Sequence, residues 1–437
     1  MSNSFKNWFS YTVFHFSSHK GLLLAIVVDI AFLVFAVIDY YKSISTAKIV
    51  INVAILITFN LLWQFVNFFK RFRLYKNVDC RGVEEDLSPE SSQKYLVKED
   101  LTGKYKYTLD EDYPILRNHV IDKALQDENS IVIVENDTNA AKNKRERIKD
   151  YYSHYESTLL YFLNKKWHNS NFYDGEFVNE KKICFTSEPS FKNNSCKFYI
   201  CPGQYYYGYM TNAIYCKSIN SDGFIMDAPA NFKNHKIEPY QNSYFSDHIG
   251  VSTLVVSTDD DNKRNVLIFQ QSSSAGKSAK QLCPTGSGSM DWSDYKRKDR
   301  GNLKNTIISA AERELREECK ISKRKWEKIK KDMEIKTRII AYYRDLRFGG
   351  KPEFCCVTEI SNGGDLSKQA HPNKKELSST FKRSFLLNSE GWNDILNEKD
   401  DQGKPRSISL ALKVNFKLAM DYYKELDKKR EANPLIS

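Results

Sequence analysis

The chain has 437 residues and carries 66 Lys and Arg against 55 Asp and Glu, a formal charge of +11. Glycine and proline are scarce and 13% of the residues are aromatic, which excludes collagen-like and wholly disordered chains. The length allows two or three folded domains. The nine cysteines follow no zinc-ligand spacing, so we interpret them as free thiols in a reducing compartment.

Two apolar windows, residues 21–40 and 49–69, are the first features along the chain. Each holds about 20 residues, the length that a helix needs to cross a bilayer core of about 30 Å. We therefore predict two transmembrane helices; the alternatives are a signal peptide followed by one anchor, or two buried core helices. No small-residue cleavage site follows Tyr40, which disfavours a signal peptide. The aromatic side chains of residues 1–20 suit an interfacial segment that lies on the headgroups.

Flanking charge and internal polar residues add to this prediction. The second window is followed by basic residues with no acidic residue among them, which places both termini in the cytosol: Lys70, Arg71, Arg73 and Lys76. Asp29 lies near the middle of the first window, where a charge costs about 2.5–3.5 kcal/mol, and the polar but uncharged Asn60 lies in the second. Such groups either bond across the hairpin or an oligomer, or line a water-filled path. Both interpretations predict self-association.

The remaining chain is predicted to be cytosolic, with a linker at 70–99, a mixed α+β region at 100–247 and an α/β domain at 248–430. In the mixed region we predict a strand at 130–135, a helix at 140–168 and an aromatic run at 198–216 that packs in a core or stacks on nucleobases. In the last region we predict strands at 251–257, 265–270, 335–343 and 354–360, a glycine-serine loop within 281–290, and helices at 304–319 and 407–430. This order is typical of an α/β sandwich.

An acidic motif, Arg313-Glu314-Leu315-Arg316-Glu317-Glu318, lies near the end of the embedded helix. Glu314, Glu317 and Glu318 are spaced i, i+3 and i+4, so their carboxylates share one helix face. Hard oxygen ligands in such a group suit Mg²⁺ or Mn²⁺, so we predict a metal site there. The alternative is a solvated helix face whose acids pair with neighbouring cations. Positive potential from two basic runs, residues 296–300 and 320–331, either stays solvated or attracts an anionic ligand or acidic lipid.

The motif resembles the Nudix box, G-x5-E-x7-R-E-U-x-E-E-x-G-U, in which U is aliphatic. The positions in register are Arg313, Glu314, Leu315, Glu317, Glu318 and Ile321, and residues 284–288 look like the family's entry loop. The positions that depart are Asp299 and Lys320 for the two glycines and Asn305 for the first glutamate. The resemblance implies a Nudix-like α/β/α sandwich over 248–430, in which the acidic positions bind a metal that assists attack on a diphosphate. The departures favour binding of a phosphate-bearing nucleotide over turnover.

An apolar hairpin in front of a Nudix-like domain resembles the transmembrane-Nudix effectors of bacterial CBASS anti-phage systems. That resemblance implies a multi-pass protein of the inner membrane whose cytosolic domain senses a cyclic oligonucleotide, after which the helices assemble and disrupt the bilayer. No DNA or RNA partner is expected. We expect the ligand to contact Gly286, Ser287, Gly288, Ser289, Lys296, Arg297, Tyr342 and Tyr343.

Two alternatives remain at this point. One is a membrane-anchored Nudix hydrolase that acts on nucleoside diphosphate derivatives with Mg²⁺ and uses Glu317 and Glu318 as catalytic residues. The other is a scaffold that binds no ligand.

Overall fold

The computed structural model describes residues 99–136, 138–153, 181–192, 195–214, 217–221, 224–226, 237–259, 261–273, 280–297, 301–360, 371–373 and 377–432, with residues 78–82 and the single residues Ala54, Thr58, Leu61 and Leu366. The predicted interfacial segment and both predicted membrane windows, with Asp29 and Asn60, lie outside these residues apart from the three single positions. None of the helices in the described part combines the length and apolarity that a bilayer crossing requires.

The described elements are numbered here in chain order. The strands are β1 (Val78–Gly82), β2 (Thr108–Leu109), β3 (Ile115–Arg117), β4 (Ile131–Asn136), β5 (Lys181–Lys192), β6 (Ser195–Gln204), β7 (Lys217–Ser221), β8 (Phe224–Met226), β9 (Gly250–Thr258), β10 (Arg264–Gln271), β11 (Leu282–Cys283), β12 (Gly286–Ser289), β13 (Lys336–Asp345), β14 (Lys351–Ile360) and β15 (Leu377–Leu386). The helices are α1 (Glu99–Gly103), α2 (His119–Gln126), α3 (Thr138–Ser153), α4 (Tyr205–Met210), α5 (Trp292–Arg297), α6 (Leu303–Glu318), α7 (Lys323–Asp332), α8 (Ser389–Leu396) and α9 (Leu410–Ala432).

The chain divides into two compact units. In the first unit, β1, β7 and β8 form a small sheet in the order β1-β7-β8. The second unit contains residues 82–154, 179–217 and 228–437. Its described strands form a three-stranded sheet, β4-β6-β5, and a nine-stranded sheet.

The nine-stranded sheet is mixed. Its main order is β11-β10-β9-β14-β13-β3-β2. In addition, β12 pairs with β9, and β15 pairs with β10. Strand β14 pairs with β9 in parallel, and the other pairs described for this sheet are antiparallel. The first seven residues of β9 are all buried, as expected for a central strand that is covered on both faces.

Helices cover both faces of this sheet, which makes the α/β/α layering that the sequence predicts. On one face, Leu254 of β9 and Ile268 of β10 share a core with the apolar side of α9, including Phe416. On the other face, Val255 and Phe269 share a core with side chains from α6 and α7, including Leu315 and Trp326. Successive side chains of a strand point to opposite faces, so one strand supplies both cores.

The boundary predicted at residue 247 falls inside the second unit. Strands β2 and β3 extend the nine-stranded sheet, since Ile115 of β3 pairs with Asp345 of β13. Strand β5 joins the later residues through two backbone hydrogen bonds: Ile183 N donates to Met290 O at 2.9 Å, and Ile249 N donates to Ile183 O at 2.8 Å. The mixed region and the α/β region therefore form one structural unit.

Candidate functional site

Helix α6 carries the acidic motif, and its start and its buried face are both defined by local sequence. The Asn302 side chain accepts a hydrogen bond from Asn305 N, which caps the helix. Apolar residues on one face anchor the helix on the sheet: Leu303, Ile307, Ala310, Ala311 and Leu315. This anchoring presents residues 313–318 beside strand β12.

Strand β12 approaches α6 so closely that two of its positions require glycine. A Cβ atom at Gly286 would lie 2.8 Å from the Cα of Leu315. A Cβ atom at Gly288 would lie 2.3 Å from the carboxyl carbon of Glu314. The alternating glycines of the predicted glycine-serine loop therefore serve strand-to-helix packing beside the motif.

Arg313 is the centre of a cluster of carboxylates, and its side chain is buried, with 4% exposed. Its Nη1 lies 2.9 Å from Glu314 Oε1, 3.1 Å from Glu317 Oε2 and 3.5 Å from Asp291 Oδ2. Its Nε and Nη2 both donate to Asp294, at 3.0–3.2 Å. One guanidinium is thus shared among four carboxylates, which we call the Arg313 cluster. A planar guanidinium suits this role because it offers five donors in a fixed geometry.

A second cation enters the Arg313 cluster from strand β5. The Nζ of Lys182 lies 2.5 Å from Asp291 Oδ1, and only 6% of the residue is exposed. The same Nζ lies 4.9 Å from the ring centroid of Tyr205, within the range of a cation–π contact. Sequence reasoning missed Lys182, Asp291 and Asp294. The acidic pair directly after the glycine-serine loop was a usable signal, whereas nothing local connects Lys182 to the motif.

The three glutamates of the motif lie in different environments. Burial raises the pKa of Glu314 to about 7, although Arg313 and Lys182 act to lower it. Glu318 is buried, and its Oε2 accepts a hydrogen bond from Ser287 N at 3.2 Å. The Glu317 side chain is half exposed. Glu314 is thus held against Arg313, Glu318 lies beneath β12, and Glu317 faces solvent.

These positions do not match the predicted metal site. In the part of the chain that the structure describes, no three Asp, Glu, His or Cys side chains are grouped so that they could hold one metal ion. The oxygen donors are of the kind that Mg²⁺ or Mn²⁺ prefers. However, Glu314 is directed to Arg313 and Glu318 to a backbone amide, so the three carboxylates are not gathered about one point. The described arrangement therefore does not fit a divalent ion.

Two of the predicted ligand contacts require a correction. Tyr342 is 0% exposed and Tyr343 2% exposed, so neither ring offers a surface to a ligand. Tyr342 OH lies 2.7 Å from Tyr240 OH, and Tyr342 N donates to Asp122 Oδ1 at 2.7 Å. Helix α2 and residues near 240, both from earlier in the chain, cover this part of β13. Lys296 and Arg297 end helix α5, and their side chains lie outside the described residues.

A buried ion pair adjoins Tyr342 and was not predicted. Arg344 Nη1 lies 2.6 Å from Glu188 Oε1, and both side chains are essentially inaccessible. Tyr107 OH donates to Glu188 Oε2 at 2.8 Å, and the Arg344 guanidinium lies 3.9 Å from the Tyr240 ring centroid. Arg344 also donates to two backbone carbonyls, at 2.9 and 3.0 Å. This network joins β5 to β13 and is structural.

A groove between α6 and α7 encloses about 360 Å³. It is lined by Asn305, Ile308, Ser309, Glu312, Arg313, Arg316, Lys323, Trp326, Glu327 and Lys330. Glu312 accepts hydrogen bonds from Lys330 Nζ at 2.6 Å and from Trp326 Nε1 at 3.3 Å. Arg316 and Lys323 add positive charge at the same groove, next to the Arg313 cluster. Such a lining can attract an anionic group.

No protein-family model matches the chain, and no curated protein matches it. Solved structures with partial similarity include a Nudix hydrolase from Alicyclobacillus acidocaldarius, at 10% identity over 39% of this chain and 90% of that one, with a TM-score of 0.27. A C. elegans Ap4A hydrolase is 17% identical over 41% of this chain and 98% of that one, with a TM-score of 0.23. The Nudix hydrolase RenU from M. smegmatis is 11% identical over 42% and 88%, with a TM-score of 0.23.

Proposed function

We propose that the protein is a membrane-anchored nucleotide sensor of the CBASS type. In this proposal the Nudix-like domain binds a cyclic oligonucleotide, and binding promotes assembly of the apolar N-terminal windows and disruption of the inner membrane. The Arg313 cluster is the observation that leads us to propose nucleotide binding in place of nucleotide hydrolysis. Its acids are engaged by cations of the protein itself, which favours a binding domain over a metal-assisted hydrolase.

The groove between α6 and α7 is our proposed position for a phosphate of the ligand. Its volume of about 360 Å³ is within the range of about 300–1,000 Å³ that is usual for small-molecule sites. Arg316 and Lys323 supply the positive charge that an anionic nucleotide requires, while Lys330 is already paired with Glu312. Trp326 also lines the groove, and its indole Nε1 donates to Glu312 Oε2 at 3.3 Å.

Coupling to the membrane requires that the ligand bind the assembled state more tightly than the separated one. A cyclic oligonucleotide carries several phosphates and bases, so one molecule can contact more than one cytosolic domain. Assembly then brings several hairpins together, each with Asp29 and Asn60 among apolar residues. Polar groups in a bilayer are stabilised by partners on neighbouring helices.

The test uses the full-length protein in liposomes loaded with a self-quenched dye, together with a panel of cyclic di- and trinucleotides. We expect one messenger to bind and to release dye. Arg316→Ala should weaken binding and leakage, whereas Lys328→Ala, an exposed charge on α7 outside the groove, should change neither. Asp29→Leu should abolish leakage and leave binding intact. Binding by no member of the panel, or equal effects of Arg316→Ala and Lys328→Ala, would contradict the proposal.

A second candidate, a membrane-anchored Nudix hydrolase, is favoured by two observations. The Glu317 side chain is half exposed, and the pKa of Glu314 is near 7, a value suited to proton transfer at neutral pH. This candidate predicts Mg²⁺-dependent cleavage of nucleoside diphosphate derivatives that is lost in Glu317→Gln. To distinguish the two functions, the full-length protein is incubated with a linear diphosphate or with a cyclic nucleotide, and the nucleotides are analysed by chromatography. Cleavage of the diphosphate indicates the hydrolase, and retention of an intact cyclic nucleotide by the protein indicates the sensor.

A further inference from the structure

Helix α7 carries a group of exposed positive charges on the side away from the core. Its sequence contains six cations and two acids, and its buried side chains are Trp326 and Ile329. Four exposed cations lie on the opposite side of the helix, three of them spaced i, i+4 and i+7 along one face, and we call them the α7 cationic face: Arg324, Lys328, Lys331 and the adjacent Lys325. In the part of the chain that the structure describes, none of the four has an ion-pair partner, whereas Lys330, at the groove, is paired with Glu312.

This arrangement of charge does not stabilise the helix itself. Like charges at i and i+4, such as Arg324 and Lys328, repel each other and weaken a helix. Cations in a first turn oppose the helix dipole, which favours acids there, and the first turn of α7 contains no acid. The exposed end of α9, by contrast, mixes both signs of charge: Lys424, Glu425, Lys428 and Glu431. The α7 cationic face is therefore complemented by anions from outside the chain.

A bilayer with anionic headgroups is the partner that this face fits best. Helix α7 has 10 residues and is about 15 Å long, so a helix lying on a plane brings its outer stripe to several headgroups at once. The one aromatic residue of α7, Trp326, is 1% exposed, so the face offers no ring on which a nucleobase could stack. The face also has no apolar side chain to insert into the bilayer, which makes the contact electrostatic.

We propose that the α7 cationic face docks on anionic lipid headgroups of the membrane that anchors the chain. The inference rests on the membrane anchor of the proposed function and requires no nucleotide. The anchor keeps the face at a high effective concentration near the cytoplasmic leaflet, which is negatively charged. Each basic residue near such a surface strengthens the attachment about fivefold. Other residues of α7 line the groove, so docking leaves the groove open: Lys323, Trp326, Glu327 and Lys330.

The test measures how fast lysines of the full-length protein react with an uncharged, water-soluble acylating reagent. The protein is reconstituted in vesicles of phosphatidylcholine alone, or of equal parts of phosphatidylcholine and phosphatidylglycerol. Mass spectrometry gives the rate at Lys328, in the middle of the face, relative to that at the exposed Lys424 of α9. We expect this ratio to fall at least about fivefold in the anionic vesicles. It should recover at about 1 M salt, where the screening length is about 3 Å.

Variants assign the protection of Lys328 to this face. Arg324→Gln with Lys325→Gln and Lys331→Gln should abolish the protection, since three fewer charges weaken docking about hundredfold. The matched control also removes three exposed charges, from α9, and should keep the protection: Lys428→Gln with Lys429→Gln and Arg430→Gln. In vesicles of phosphatidylcholine alone the face has no anionic partner, so Lys328→Ala remains a valid control for dye release from them.

Three results would overturn the inference alone. They are equal Lys328 ratios in the two kinds of vesicle, equal loss of protection in the two triple variants, and protection by duplex DNA in place of the anionic vesicles. Flotation with phosphatidylcholine vesicles at about 1 M salt tests the anchor separately, because electrostatic docking is screened there. A chain that does not float refutes the proposed anchor and this inference together.

Discussion

The buried pair of Arg344 and Glu188 offers a sharp test of how the second unit is stabilised. Replacement of Arg344 by Met keeps much of the side-chain volume and removes the charge. It leaves Glu188 buried without its cation and frees two backbone carbonyls that Arg344 now satisfies. Removal of one partner from a buried pair typically costs about 3–5 kcal/mol. For a unit of this size, about 2 °C per kcal/mol gives a fall in melting temperature of about 6–10 °C.

The size of that fall should depend on pH, because a carboxyl group can be neutralised by a proton. Burial already raises the pKa of Glu188, and Arg344 acts in the opposite direction. Without Arg344 the folded-state pKa rises further above the unfolded value. An acid with a raised folded-state pKa contributes stability at low pH and loses it as pH rises through that pKa. Arg344→Met should therefore be most destabilised at pH 8 and least at pH 5.

Differential scanning fluorimetry of the full-length protein in detergent measures both effects. The double variant Arg344→Met with Glu188→Gln lacks the titrating group, so the single variant should lose stability relative to it as pH rises from 5 to 8. Arg383→Met is the matched control, because the Arg383 side chain is 61% exposed in its pair with Glu398, and such exposed pairs contribute about 0–1 kcal/mol. A fall below 2 °C at pH 8, or a gap between single and double variants that is the same at every pH, would refute the reasoning.

Three further predictions concern the candidate site and the thiols. Gly286→Ala should lower the free energy of unfolding by about 1–3 kcal/mol, because the new Cβ must displace the backbone of Leu315. The melting temperature should fall accordingly, and that of Ser287→Ala should not. Because the pKa of Glu314 is raised to about 7, the contribution of this carboxyl group to stability is lost as pH rises from about 4.5 to 7. Glu314→Gln should therefore gain up to about 3 kcal/mol of stability relative to the wild type over that range. Melting temperatures of both proteins at the two pH values measure this gain. The seven buried cysteines should resist a thiol reagent until denaturant is added, so more than two fast-reacting thiols per native chain would contradict the described burial.

The central elements of the fold could be predicted because each carries a strong local pattern. Strands β9, β10, β13 and β14 each contain a short apolar run, and α6 and α9 have an apolar face over several turns. Helix α7 shows mainly a basic run in the sequence, because its buried side chains are only Trp326 and Ile329 among many lysines. Strands β2 and β3 are two and three residues long, too short to show any period.

The candidate site could be predicted only in part, for a related reason. Spacing along a helix is local, so Arg313 and the glutamates could be placed together. Lys182 and the partners of Tyr342 come from distant segments of the chain, and pairing over such separations leaves no mark in a single sequence. The expected exposure of Tyr342 was wrong for this cause, because the elements that cover it precede it by about 100 residues or more.

The contact between helix α2 and strand β13 has a consequence for synthesis on the ribosome. Tyr342 N donates to Asp122 Oδ1 across 220 residues of chain, so the early strands and α2 emerge long before the edge on which they dock. At about 5–20 residues per second, roughly 10–45 s separate the two segments during translation. Apolar residues such as Ile115 and Ile121 are inaccessible in the finished fold. During that interval they lack strand β13, against which their segments pack. The nascent chain is therefore a natural client for a holding chaperone, and slower translation before residue 342 should increase its aggregation.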